Sequence, residues 1–590
     1  MRVTEQQVFG FLVNSYQRAR SKSLRLQEQL ATGKQVLQPS DDPGRFHRII
    51  GESTTLGKLE QRLRNIGTAT TRVELADTSL QGATQTLSRV RQLAVQFASD
   101  TNGASERRAG AREIEALLHH LLQLGNAEYD ENQPVFGGTS RHGFAAGLSL
   151  SAPVTLTNGV TDTLTVKVDG VTSGSIDLTS GTETLNGAEW AARVQSRINT
   201  DSALSATGKS VSVTYADGRL VIASDSTGVT SSVDVVSGSA RTLLGFNGGS
   251  AGSGGATFAA TVTTDAAATN SGGALISQGQ IVSANRASFD NYIVRFTGPG
   301  TFDVVNTSAP VTVTPHATNA GRVGTVDAGI ADHQRVTLDA YEVRFTSSSQ
   351  YSILNTTTGA TLSTGNTYVS GEAIEFDGLR VVLSTGQQNG PVTGDRFAVA
   401  LAPKTVLSNQ VHTSGAPIEF DGIRLSVTNA TSAPAAGDIF HVVSQTRYAG
   451  DSDLQVVEVA DKQVIPTNIP GDEVFSGSTV NLFDTVQQLL AALRGNFKAG
   501  IVESLGNLDR SLNQLASAQG SIGALANRLE ATSSALQESK DLATNTLSSL
   551  EDIDLAKTIS DLTLQDYAIR AAGETLGRIF DNSLLNHLRR

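Results

Sequence analysis

The sequence predicts a multidomain protein of α plus β type. An antiparallel helical coiled-coil bundle is built from both chain ends, and β-rich (α+β) modules are inserted between them. Heptad-like apolar stripes at each end and period-two alternation in the middle support this prediction. The composition agrees, because glycine is abundant at 57 residues and aromatic residues make up only 5% of the chain. The 590 residues leave room for several domains of about 150 residues each.

The front half contains a long apolar stripe between Val73 and Phe97. Apolar residues recur alternately three and four positions apart, which is typical of a coiled-coil seam on one helix face. A helix with one such stripe needs a partner to bury it. The residues predicted to form this half of the seam are Val73, Leu80, Leu87, Val90 and Phe97.

The back half supplies a matching stripe. Its residues recur every seventh position, and this strict repeat keeps the stripe facing a neighbour only if the helices supercoil. They are Ile501, Leu508, Leu515, Ile522, Leu529 and Leu536. We therefore expect residues 43–149 and 476–549 to pack together as one intramolecular helical bundle domain.

The extreme ends, residues 1–42 and 550–590, carry further apolar rows. Little chain remains to cover these rows within a monomer, so they are predicted to pack between subunits and to be disordered in the free monomer. The predicted assembly residues are Leu12, Tyr16, Leu26, Leu30, Leu562, Ile569, Leu576, Leu584 and Leu585.

A sharp helix joint is predicted at Pro39, Ser40, Asp41, Asp42 and Pro43. Two prolines prevent one continuous helix from running through this stretch. The serine and aspartate side chains can accept hydrogen bonds from the free amides of a helix that begins near the second proline. The stretch therefore separates a first helix from a second one.

The middle of the chain reads as two β-rich regions. Residues 150–255 form a predicted small α+β module around Trp190, ending in a Gly/Ser linker at 247–255. Residues 256–475 contain duplicated hairpin units, because YIVRFT at 292–297 returns as YEVRFT at 341–346, and IEFDG at 374–378 returns at 418–422. We interpret these repeats as stacked β modules.

Composition and motifs exclude several classes of function. A net charge of -12 argues against nucleic-acid binding, and the chain has no cysteine for disulfides or thiolate metal sites. No apolar run is long enough for membrane insertion, and the N-terminus lacks the features of a cleaved signal peptide. Glu115 and His119 have the spacing of two metal ligands but fit a solvated helix face better, and the elbow-like GGSAG at 248–252 lies in the linker. No enzyme activity, cofactor or metal is expected.

Several short motifs at the two ends occur together in a recognisable order. At the front they are QLATGK at 29–34, PSDDP at 39–43, Asn65-Ile66, Glu113-Ile114 and FGGT at 136–139. At the back they are SLEDID at 549–554 and Ser583 to Leu585. In this order they resemble the hook-filament junction proteins of the bacterial flagellum, a family of hook-associated proteins related to flagellin.

The resemblance implies a flagellin-like bundle and a structural role. Proteins of this family form a ring that connects the hook, through the first hook-associated protein, to the flagellin filament. The implied partners are further copies of the chain, the first hook-associated protein, flagellin and an export chaperone. The implied location is the extracellular flagellum, reached through the flagellar type III system without a cleaved signal peptide.

Three alternatives remain open at this point. The chain resembles flagellin itself over the same helices, so it could be the filament subunit. A surface adhesin would use residues 256–475 to bind a ligand, and an enzyme would require an active site within the insert.

Overall fold

Helices occupy both ends of the chain in the computed structural model, and strands occupy the middle. The structure describes residues 5–130, 133–138, 142–148, 150, 153–216, 218–227, 231–248, 250–252, 257–281, 286–385, 390–450, 452–477 and 480–588. Within them the helices are α1 Glu5–Thr32, α2 Pro43–Ala98, α3 Ala104–Gly125, α4 Gly187–Asn199, α5 Ser202–Ala206, α6 Gly471–Phe475, α7 Leu482–Arg494, α8 Lys498–Glu551 and α9 Leu555–Leu588.

The strands are numbered along the chain. The first group is β1 Glu128–Asp130, β2 Gln133–Pro134, β3 His142–Ala146, β4 Val154–Thr157, β5 Thr163–Val168, β6 Val171–Thr172, β7 Ile176–Asp177, β8 Thr182–Leu185, β9 Val211–Ala216, β10 Arg219–Thr227, β11 Val233–Ser237 and β12 Ser250–Gly252. The second group is β13 Phe258–Ala266, β14 Ala274–Ile276, β15 Gln280–Ile281, β16 Tyr292–Gly298, β17 Thr301–Asn306, β18 Val311–Pro315, β19 Gly324–Ile330, β20 Tyr341–Phe345, β21 Gln350–Asn355, β22 Thr361–Thr367, β23 Ala373–Phe376, β24 Leu379–Ser384 and β25 Arg396–Leu401. The third group is β26 Lys404–Val411, β27 Pro417–Phe420, β28 Ile423–Asn429, β29 Ile439–Tyr448, β30 Val456–Ala460 and β31 Gln463–Pro466.

The chain divides into two compact units. The first comprises Met1–Thr70, Val457–Ile465 and Asn527–Arg590, and the second comprises Thr71–Val456 and Pro466–Ala526. The predicted boundary at residues 42 and 43 coincides with the start of α2, whereas the units divide within α2 and within α8. Each unit is built from two or more distant parts of the sequence.

Buried heptad residues hold the helical part of the second unit together. Val73, Leu80, Leu87, Val90, Phe97, Ile501, Leu508, Leu515 and Ile522 are all buried there. Arg91 donates to Asp509 at 2.5 Å, and Lys498 donates to Asp100 at 2.6 Å. Residue numbers therefore rise along α2 as they fall along α8, so the two helices run antiparallel. In the first unit Leu529 is buried and Leu536 is only partly buried.

The small α+β module has a core around Trp190, whose indole N–H donates to the Val154 carbonyl at 2.9 Å. Its sheets have the orders β12-β3-β10-β9, β11-β5-β6 with β7 against β5, and β4-β8. The module differs from the prediction at its end. Ser250–Gly252, placed in a linker by the sequence, forms β12 and pairs with β3. A run of small residues pairs as readily as any other when an edge strand is free beside it.

The duplicated units form two copies of one β-domain, and one copy is inserted into the other. The host β-domain comprises residues 257–306 and 404–449, and the nested β-domain comprises residues 311–401. Host strands have the order β13-β29-β16-β17-β26, and nested strands repeat it as β18-β25-β20-β21-β22. The smaller sheets correspond too, since β28 with β27 matches β24 with β23. The insertion replaces the turn between β17 and β26, whose ends still pair at Asn306 and Lys404.

The same tyrosine–aspartate bond closes each copy. The Tyr292 hydroxyl lies 3.0 Å from Asp421, and the Tyr341 hydroxyl lies 2.9 Å from Asp377. The first tyrosine motif therefore pairs with the last aspartate motif, and the two inner motifs pair with each other. This pairing corrects the stacked arrangement predicted from the sequence, because the units are nested.

The nested β-domain also caps the longest back helix. The first amides of α8 would otherwise lack partners, as at any helix start. The Asp327 carboxylate accepts hydrogen bonds from the backbone N–H of Lys498 at 3.0 Å and of Ala499 at 2.5 Å. Gly329 lies against the Phe497 ring, where a side chain would collide with it. A side chain outside the helical bundle therefore supplies one of its caps.

Replacing Leu515 with alanine should destabilise the bundle by about 2 to 5 kcal/mol, because it leaves a cavity in a fully buried seam. The loss should appear as a lower midpoint of the far-UV helical signal in urea. Val502→Ala on the same helix is the matched control, since Val502 is 50% exposed. Equal midpoints for both variants would contradict the seam.

Replacing Asp327 with alanine should cost about 1 kcal/mol, the usual value of a lost helix cap. Hydrogen exchange in the first turn of α8 should accelerate, while exchange near Leu515 stays slow. Glu372→Ala, at an exposed position of the nested β-domain, serves as the control. Unchanged protection at Lys498 and Ala499 in the Asp327 variant would show that the cap contributes nothing.

Candidate assembly surface

The first unit pairs the two ends of the chain. Helices α1 and α9 pack along each other, and the Ser23 hydroxyl donates to the Asp566 carboxylate at 3.2 Å. Beyond α1, the backbone of Gly33 meets that of Ile553. Residue numbers rise on one helix as they fall on the other, so α1 and α9 are antiparallel. Leu26 then lies near the level of Leu562.

The residues predicted to form assembly contacts all lie on α1 and α9. Leu26 is buried, and Leu12, Tyr16, Leu30, Leu562, Ile569 and Leu576 are partly buried. Leu584 and Leu585 lie on α9, in the part whose side chains are outside the described residues. The rows thus have a partner within the chain, and their role between subunits stays a prediction.

Other apolar side chains of the same helices remain exposed. Leu564 and Tyr567 are 63% and 66% exposed. At about 100° per residue, both lie on the side of α9 that faces away from the row Leu562, Ile569 and Leu576. Phe11, Leu24, Leu555 and Ile559 are exposed as well. These six side chains lie on more than one side of the two helices, and exposed apolar side chains of this size mark surfaces that other molecules cover. The stripe pattern missed Leu564 and Tyr567 because they fall outside the heptad row.

A short backbone clasp joins the ends of these helices. Gly33, with φ of 73°, ends α1 in the left-handed conformation that glycine adopts without strain. Gln35 N–H then donates to the Glu551 carbonyl at 2.6 Å, and Ile553 N–H donates to the Gly33 carbonyl at 3.0 Å. Lys34 forms an ion pair with Glu551. The motifs QLATGK and SLEDID, from opposite ends of the chain, meet here.

The helix joint is held by its two aspartates. Asp42 accepts from the backbone N–H of Arg45 at 2.9 Å and so caps α2, which begins at Pro43. Asp41 accepts from Leu37 N–H at 3.0 Å and Gln38 N–H at 3.1 Å. The pKa of Asp41 is lowered by these two backbone bonds and by Arg25, 2.8 Å away. The ionised Asp41 carboxylate therefore stabilises the joint at any pH above the ordinary pKa of an aspartate. This stabilisation is lost as the pH falls below that value and through the lowered pKa. Pro39 and Ser40 are exposed in the turn.

A second exposed apolar surface lies beside α8 in the first unit. The β30–β31 hairpin is fastened to α2 by Arg62, which contacts Asp461 at 2.5 Å and Glu458 at 3.2 Å. A groove of about 710 Å³ separates the hairpin from α8. Its lining includes Val464, which is 49% exposed, and the partly buried Leu536.

The residues considered for metal binding have other contacts. Glu115 forms an ion pair with Arg494 at 2.8 Å, and the His119 ring packs 5.1 Å from the Phe289 ring. Over the described part of the chain, no group of three or more His, Asp or Glu residues is placed to hold a metal ion. No helix there is both long enough and apolar enough to cross a membrane.

Two family models match the ends of the chain. The bacterial flagellin N-terminal helical region matches residues 11–140, and the bacterial flagellin C-terminal helical region matches residues 505–588. The first match contains most of α1, all of α2 and all of α3, and the second contains most of α8 and all of α9. The exposed apolar residues and both clasp motifs lie within these two matches.

Curated relatives match a smaller part of the chain. Flagellar hook-associated protein 3 of Salmonella typhimurium is 23% identical over 138 residues, and that of Escherichia coli is 25% identical over 138 residues. Each match covers 23% of this chain and 44% of the relative. The chain thus spans less than half the length of the curated relatives that it matches.

The solved structures similar to this chain include proteins from two further bacteria. The FlgL crystal structure from Xanthomonas campestris is 18% identical, with a TM-score of 0.27 over 84% of this chain and 99% of that chain. Flagellar hook-associated protein 3 from Legionella pneumophila is 16% identical, with a TM-score of 0.27 over 85% and 98% of the two chains. The family models at both ends confirm the flagellin-related resemblance predicted from the terminal motifs.

Proposed function

We propose that this chain is a structural subunit of the bacterial flagellum, and that it forms the junction ring between hook and filament. The observation that carries this proposal is the set of exposed apolar side chains on the α1–α9 pair, which lie inside the two flagellin helical regions. The curated relatives, both named hook-associated protein 3, favour the junction over the filament body.

Assembly would be driven by burial of these exposed apolar side chains. Each large apolar side chain gains about 1.5 to 3 kcal/mol when it is fully buried. Leu564 and Tyr567 alone supply at most about 3 to 6 kcal/mol, which is less than most of the range of about 4 to 15 kcal/mol for the association cost. A subunit that buries all six exposed residues of α1 and α9 against several neighbours can offset it. The helix pair therefore favours an assembly of many subunits over an isolated dimer.

The remaining parts of the proposal follow from this role. The partners are further copies of the chain, the first hook-associated protein, flagellin and an export chaperone, and the export route is the flagellar type III system. The terminal helices line the inside of the ring. The role is structural and includes no catalytic step.

Removal of residues 557–590 should leave a soluble protein that no longer joins flagella. The deletion removes nearly all of α9 and leaves the second unit intact. In a strain lacking the gene, the junction role predicts bare hooks and unpolymerised flagellin in the medium, and the truncated gene should not restore filaments. Capped hooks without released flagellin would instead identify the chain as the filament subunit. Filament growth with the truncated protein would refute the role of the terminal helices.

Replacing Leu564 and Tyr567 together with glutamate should abolish assembly without unfolding the helix pair. Both side chains are exposed, so the monomer loses no packing, whereas an interface that covers them would bury two charges. Motility and filament length measure assembly, and circular dichroism of the purified monomer checks the fold. Thr563→Glu, at the exposed polar position next to Leu564, is the control. Normal filaments with the double variant would place the interface elsewhere.

A further inference from the structure

The nested β-domain rests on the host β-domain through a shared apolar core. Ile293 and Ile439 of the host belong to one buried cluster with Val336, Tyr341 and other residues of the nested copy. Ile293 and His441 are cross-strand partners on β16 and β29, so they lie on the same sheet face. That face of the host sheet is therefore the one that meets the nested domain.

A histidine provides a polar link across this contact. His441 Nε2 of the host lies 2.8 Å from the Val336 carbonyl of the nested domain, and the His441 side chain is only 2% exposed. Since a carbonyl only accepts, Nε2 carries the proton and neutral His441 has an unprotonated Nδ1. Among the described residues, neither His441 Nδ1 nor His333 Nδ1 has a hydrogen-bond partner, and both atoms are buried.

We propose that the contact between host and nested β-domains is an acid-sensitive latch, closed while His333 and His441 are neutral and opened when they are protonated. A second proton on either ring would place a donor and a positive charge at a buried atom without an acceptor. Such a charge is costly to bury, so the protonated histidines favour a state in which water reaches these two Nδ1 atoms.

The surrounding charges do not remove this penalty. Asp332 of the nested domain and Asp290 of the host both favour protonation of His333, whereas His441 opposes it. Asp290 is already paired with Arg494 of α7 at 2.6 Å, and Arg494 also pairs with Glu115 of α3. The cleft of about 510 Å³ beside His333 is also lined by charged residues of the nested domain and of α7 and α8, namely Glu375, Arg380, Asp484 and Glu503.

Burial is the largest influence on the pKa of both histidines. Burial, with a smaller contribution from the neighbouring His441, lowers the pKa of His333 to about 4 against the opposing pull of Asp332 and Asp290. The pKa of His441 is lowered by burial as well, although its bond to the Val336 carbonyl opposes the shift. Both rings are therefore neutral at pH 7 in the closed state.

The sign of the pH dependence follows from these directions. With an ordinary pKa of about 6.5 when open and about 4 when closed, His333 stabilises the closed state above pH 6.5. That stability is lost as the pH falls from about 6.5 towards 4. Between pH 7.5 and pH 5, protonation of His333 alone raises the opening equilibrium constant about 30-fold.

Hydrogen exchange followed by mass spectrometry on the full-length protein tests the latch. Peptides covering residues 331–338 and 439–445 should lose about 30-fold or more protection between pH 7.5 and pH 5, after correction for the intrinsic exchange rate. The peptide covering 187–199, in the core of the α+β module, should keep its protection. Equal protection of the interface peptides at both pH values would overturn the proposal.

Variants separate the latch from general acid unfolding. The double variant His333→Gln and His441→Gln should lose the pH dependence, since neither side chain titrates. His316→Gln, at an exposed histidine of the nested domain, should keep it. If the double variant fails to fold, His333→Gln alone retains the His441 bond to Val336 and should still reduce the 30-fold effect. An unchanged pH effect in either His333 variant would refute the latch.

Discussion

The architecture depends on the contact between the first and last helical segments of the chain. Gly33 and Gln35 exchange backbone hydrogen bonds with Glu551 and Ile553, and α1 runs beside α9. Everything between these points is one closed loop. The entropic cost of closing a loop grows only with the logarithm of its length, so each doubling adds about 0.6 kcal/mol. A helical scaffold closed in this way tolerates large insertions, including a β-domain that itself contains another.

Much of the helical scaffold was predictable because its signals are local. The heptad spacing of Val73 to Phe97 requires no knowledge of distant residues, and every predicted seam residue in the second unit is buried. The exposure of Leu564 and Tyr567 was not predictable from that spacing. Single apolar residues outside a stripe are common on protein surfaces, so they carry no signal until the packing partner of the helix is known. The meeting of QLATGK with SLEDID was likewise visible only as two separate motifs.

The nesting of the β-domains shows what repeat sequences can and cannot establish. The sequence shows two tyrosine motifs followed by two aspartate motifs, an order that tandem copies would not produce. The sequence does not show which tyrosine pairs with which aspartate, because these contacts join residues that are far apart along the chain. Each copy needs one Tyr–Asp bond, and the pairs Tyr292 with Asp421 and Tyr341 with Asp377 satisfy both copies. The nested copy has an additional task, because its Asp327 caps α8.

The distance along the chain between the two halves of the buried seam has a consequence for synthesis. Phe97 and Ile501 are separated by about 400 residues, which a ribosome adds in roughly 20 to 80 s at about 5 to 20 residues per second. During that interval α8 has not yet been synthesised, so the apolar face of α2 lacks its packing partner. The nascent chain must avoid aggregation through this apolar surface for about a minute. A chaperone that protects the surface would have to remain bound for that time.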